Sequence, residues 1–87
     1  MNTMDKQTII NLSNQFYNNQ IPPNATQEVL NYCIERGKTP NLSQAFIEVS
    51  VQLGFFTTIY QSMLEYYQKQ FEVCLIKNDL GKVIKVI

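Results

Sequence analysis

Apolar residues recur along most of this chain at helical spacing and change to the alternation of strands only over the last stretch of the sequence. Ile9, Leu12 and Phe16, with Ile10 and Tyr17 beside them, predict a first helix over about residues 5–19. It must stop before Pro22 and Pro23, because proline donates no backbone hydrogen bond and forces the residue before it out of the helical region. Asn24 and Gln27 then have the spacing of a capping box. Ala25, Val29, Leu30, Cys33 and Ile34 form a stripe, and Gly37 supplies a left-handed stop, which predicts a second helix over 25–36. The same grammar repeats with Asn41 and Gln44, the stripe Leu42, Ala45, Phe46, Val49 and Leu53, and Gly54, predicting a third helix over 42–53. Thr58 and Gln61 open a fourth over 58–69, with Tyr60, Met63, Leu64 and Tyr67 on its buried side.

From Phe71 the pattern becomes FEVCLIK, then NDLG, then KVIKVI, which predicts a β-hairpin over 71–87 with Gly81 in the left-handed position of its turn. If Asn78 faces Lys82, then Ile76 faces Ile84 and Cys74 faces Val86 on one apolar side. Val73, Leu75, Lys77, Val83, Lys85 and Ile87 share the other. The competing pattern continues the fourth helix through Phe71 and Cys74 to a stop at Gly81. β-branched Val83, Ile84, Val86 and Ile87 favour strands instead. The expected class is α+β: four short helices forming a small bundle in one domain over 1–87, with a C-terminal hairpin in a winged-helix-like layout.

Composition narrows what such a domain does. Its 87 residues are 45% hydrophobic, enough for one modest core, and seven basic side chains balance seven acidic ones. The balance is uneven along the chain. Residues 1–68 hold Lys6, Arg36 and Lys38 against Asp5, Glu28, Glu35, Glu48 and Glu65, while residues 69–87 hold Lys69, Lys77, Lys82 and Lys85 against Glu72 and Asp79. Cys33 and Cys74 lie in apolar stretches without CxxC spacing, and the chain has no histidine, so both are expected to be buried thiols and no metal site is expected. With no imidazole, no Gly-rich phosphate loop and no clustered acids, the expectation is a non-enzymatic protein without cofactors. No apolar run approaches the ~20 residues of a membrane span, and no leader-like apolar segment opens the sequence, so a cytoplasmic protein without a membrane partner is expected. Abundant Asn, Ile, Tyr and Phe suggest an AT-rich coding sequence of a low-GC bacterium, phage or plasmid.

Two binding functions fit. A helix-turn-helix followed by a wing would place the fourth helix in the major groove of double-stranded DNA. Thr57, Thr58, Gln61, Ser62 and Gln68 would face the bases and phosphates, and Lys77, Lys82 and Lys85 would sit on the wing. Such a regulator of transcription would act as a homodimer. The absence of arginine from that helix, and Glu65 midway along it, weigh against DNA. The alternative is a protein-binding inhibitor or adaptor, of phage or other mobile-element type, acting through an aromatic surface of Phe55, Phe56, Tyr60, Tyr66 and Tyr67. The outer face of the hairpin is a second surface for self-association by sheet pairing.

Overall fold

The computed structural model describes residues 5–22, 24–36 and 54–87. They form an α+β arrangement of three helices, α1 (Lys6–Tyr17), α2 (Ala25–Glu35) and α3 (Phe55–Gln70), followed by strands β1 (Leu75–Lys77) and β2 (Val83–Val86) in an antiparallel hairpin. The third predicted helix, 42–53, and its capping pair lie outside the described residues. By its contacts the chain divides into two units, Met1–Pro22 with Leu64–Ile87, and Pro23–Met63. No helix among the described residues is long and apolar enough to cross a membrane.

The first unit contains α1, the second half of α3 and the hairpin. Asp5 caps α1, accepting a hydrogen bond from the Thr8 backbone N–H at 2.7 Å, and these bonds to Thr8 hold the Asp5 carboxyl below the usual carboxylate range. Ile9, Leu12 and Ser13 form the buried side of the helix. Its end is closed by Asn19 in the left-handed conformation (φ 60°), with Asn19 N–H donating to the Phe16 carbonyl and Gln20 N–H to the Gln15 carbonyl. This pair of bonds is a Schellman closure. α3 ends in the same way: Glu72 N–H donates to the Lys69 carbonyl and Val73 N–H to the Gln68 carbonyl, with Glu72 at φ 53°. The closure turns the chain out of the helix at Phe71–Glu72, which excludes the continuous helix to Gly81. Leu64, Tyr67 and Val86 are also buried in this unit, and a buried Gln68 side chain donates to Ser13 Oγ at 2.9 Å. Each of these polar groups satisfies the other where water is excluded.

The hairpin keeps the predicted turn and departs from the predicted register. Asn78 N–H donates to the Lys82 carbonyl at 2.9 Å, the Asn78 side-chain oxygen accepts from Leu80 and Lys82 N–H, and Gly81 has φ 80°. Lys77 faces Val83 as expected, but Ile76 then faces Lys85 and Leu75 faces Val86. Ile84 is thus an extra residue in β2, a bulge that shifts all later pairs by one position. A one-residue slip exchanges faces. Val86 (1% exposed) is the only buried member of the predicted apolar side; Ile84 (52%), Ile76 and Cys74 are exposed. β2 is held on α1 by one side chain: Asn14 donates its amide N–H to the Val86 carbonyl at 2.9 Å and accepts the Val86 N–H at 2.8 Å.

In the second unit, Ala25 and Val29 of α2 and Phe56, Tyr60 and Met63 of α3 are buried. The predicted Asn24 cap is not formed. With ψ at 9° rather than extended, Asn24 makes no side-chain bond to the helix backbone and instead donates to the Glu28 carboxylate at 3.4 Å. Gln27 likewise turns forward, to Asn31. Ile34, expected on the stripe, is exposed, and Cys33 is half-buried. α3 begins three residues before the predicted start, because Gly54 at φ 85° offers its carbonyl to the Thr58 N–H and hydroxyl. Thr58 is therefore inside the helix and caps nothing.

Three outcomes follow in urea unfolding. Val86→Lys should cost about 3 kcal/mol or more through an unpaired buried charge, whereas Ile84→Lys should stay within about 0.5 kcal/mol. The unshifted register requires comparable large losses from both. Asn14→Leu should cost about 2 kcal/mol by leaving Val86 N–H and C=O unsatisfied. Asn14→Asp should be destabilising at neutral pH, because its carboxylate accepts from the Val86 N–H but repels the Val86 carbonyl. Its stability should recover as acid protonates that carboxylate, and a pH-independent loss would sink this account.

Candidate functional site

Side chains alternate across the hairpin, so the register decides which ones meet solvent together. Val73, Leu75, Lys77 and Val83 share the face of buried Val86, whereas the pairs Cys74–Ile87 and Ile76–Lys85 stand on the opposite face, with all four side chains exposed. Leu80 at the turn is 91% exposed. Three lysines, Lys77, Lys82 and Lys85, are interspersed with these apolar groups, and Asp79 is the one acid of the hairpin. On the inner side, a groove of ≈ 360 Å³ lies under the start of β1, lined by Tyr17, Glu65, Gln68, Lys69, Glu72, Val73 and Leu75.

The two edges of the sheet differ. Cys74 and Ile87 exchange backbone hydrogen bonds, so the next residues, Leu75 and Val86, point their N–H and C=O groups away from the partner strand. On β2 those groups are taken by the Asn14 amide. Among the described residues no strand lies on the outer side of β1.

The residues predicted for DNA fall in both units. Thr57 is half-buried; Thr58, Gln61 and Ser62 are exposed on α3 in the second unit, with the Thr58 hydroxyl committed to Gly54. Lys77, Lys82 and Lys85 are exposed in the first unit. Gln68, expected to face outward, is 6% exposed and bonded to Ser13. The aromatic surface of the alternative is largely interior: Phe56, Tyr60 and Tyr67 are buried, with Phe56 stacked on Tyr60 and Tyr67 on Phe71. Tyr66 is half-buried, its hydroxyl accepting from Gln70 at 2.8 Å, and the Phe55 side chain lies outside the described residues. Cys74 is exposed rather than buried, because the register shift places it on the outer face.

Asn14, the groove and the contrast between the sheet edges had no advance sign in the apolar pattern. Ser13 and Gln68 did leave one. Each stands four residues after a buried apolar residue, Ile9 or Leu64, and so occupies a stripe position with a polar group that needs a partner. The chain matches no family model, no curated protein and no solved structure.

Tyr60 reports the interior most directly: burial and then the negative charge of Glu28 push its hydroxyl up to about 12. A raised folded value means that its contribution to stability is complete below the ordinary tyrosine range and is lost as pH rises from about 10 through about 12. Ultraviolet titration should show a late tyrosine ionisation that is lost in Tyr60→Phe. Titration of all the tyrosines together near the ordinary value would contradict the assignment.

Proposed function

We infer that this chain is a non-enzymatic cytoplasmic module that binds another protein through the exposed face and tip of its hairpin. One observation carries the reading: Ile76 and Ile87 on the outer face, Ile84 at the bulge and Leu80 at the turn are large, apolar and exposed within one short hairpin, beside Lys82 and Lys85. Isolated surface aliphatics are ordinary, but a cluster with a charged rim is the usual composition of a protein interface. The partner it suits offers an apolar cleft with acidic margins. The aromatic surface expected from the sequence is thereby replaced by an aliphatic one.

The winged-helix reading draws on the same lysines. A wing laid on phosphates would, however, carry Leu80 and Asp79 at its tip, and the exposed side of α3 bears Glu65. Neither contributes to holding a polyanion. Protein recognition uses both the apolar and the basic residues of the hairpin, whereas DNA recognition uses only the basic ones.

Titration with random-sequence duplex at low salt separates the two. No saturable binding is expected. Binding that weakens with salt and falls in Lys82→Ala with Lys85→Ala would replace the protein reading with the DNA one. A partner recovered by cross-linking, once purified, should lose more than ~1 kcal/mol of affinity on Leu80→Ser or Ile76→Ser. Unchanged affinity for both variants would move the contact away from the hairpin.

A further inference from the structure

We propose that the open edge of β1 pairs with β1 of a second copy of this chain, giving a four-stranded antiparallel sheet across a two-fold axis at Ile76. The proposal rests on the hairpin being an interaction element but concerns its edge rather than its outer face.

The backbone fixes which registers are allowed. Leu75 and Lys77 point their N–H and C=O groups outward, so a self-pairing strand must bring these residues opposite one another or opposite themselves. Placing Lys77 opposite Lys77 of the second copy sets like charges together and is disfavoured. The register centred on Ile76 uses the whole of β1: Ile76 meets its own equivalent on the outer face, and Lys77 meets Leu75 on the inner face, twice. Association through one self-complementary patch closes on itself and ends at a dimer.

Charge identifies the occupant. A lysine on an edge strand ordinarily keeps other strands away. Here Leu75, the residue it would meet, lines the groove together with Val73, Tyr17 and the carboxylates Glu65 and Glu72, against the single cation Lys69. The Lys77 ammonium of each copy would reach the exposed Glu72 carboxylate at the rim of the groove in the other, while its methylene stem covers Leu75 and Val73. An unrelated strand would have to supply both a cation for this groove and an apolar residue for Ile76. A second copy brings both in register.

The test uses the full chain. Sedimentation equilibrium over a wide concentration range should show a reversible dimer. Lys77→Glu and Glu72→Lys, each folded by circular dichroism, should raise its dissociation constant at least about tenfold, and the double variant should regain most of the loss. In a background of Cys33→Ser and Cys74→Ser, Ile76→Cys should form an intermolecular disulfide on mild oxidation. Directly opposed residues of a non-hydrogen-bonded pair lie about 4.5 Å apart at Cα, within disulfide range. A wild-type chain that is monomeric throughout, a dimer indifferent to Lys77→Glu, or a double variant no better than its parents would each overturn the proposal. Partner binding is read separately with Leu80→Ser, since Leu80 at the turn lies outside the paired edge.

Discussion

The first unit depends on one primary amide. Asn14 presents to Val86 the same donor and acceptor that a neighbouring strand would, and so a helix side chain closes this edge of the sheet. Without that amide, seating Val86 against α1 would bury a peptide N–H and carbonyl with no partners, at a cost comparable to the apolar burial gained. With it, β2 is fixed on α1, β1 is fixed by pairing to β2, and the groove under β1 receives its far wall from Tyr17 and the end of α3. The buried pair Gln68–Ser13 links α3 to α1 within the same unit. Two polar contacts thus define an arrangement that apolar packing alone would specify only loosely.

The fold was legible where periodicity decides and illegible where a single residue does. α1, α2, α3 and the hairpin turn follow from apolar spacing and from Gly81, because many residues vote for the same answer. The helix ends are different. Asn19 and Glu72 take the left-handed closing position without glycine, so the end of α3 is legible only through the change to strand alternation after Phe71 and not through a stop residue. The bulge at Ile84 is silent: alternation reads the same with or without an extra residue, yet that residue decides that Val86 is interior while Cys74 and Ile76 face solvent. The basic character of the hairpin is evident from Lys77, Lys82 and Lys85, and simple alternation leaves Leu75 and Ile87 beside them on the outer face, but it puts Ile76 and Ile84 on the core side. The tyrosines were legible as core: helical spacing puts Tyr60 and Tyr67 with Met63 and Leu64 on the buried side of α3, where they lie, and that burial removes them from the alternative aromatic surface.

The asymmetry of the sheet has a general reading. A two-stranded ribbon is marginal in water and exposes two edges that invite uncontrolled pairing. Covering one edge with a helix side chain confines strand addition to the other. A bulge in the covered strand also raises the local twist, so the ribbon as a whole is a poor template for stacking many copies.

The clasp also sets an order of events in time. Asn14 and Val86 are separated by 72 positions, and the segment between them includes the whole of the second unit, Pro23–Met63. At about 5–20 residues per second, a ribosome finishes Asn14 on the order of 4–15 s before Val86 exists. For that interval α1 has been made and has no strand to hold, with Ile9 and Leu12 uncovered, while the contiguous second unit can already collect its own contacts. The nascent chain therefore exposes its N-terminal helix longest, and α1 is the segment on which a chaperone or an aggregation-prone encounter would act.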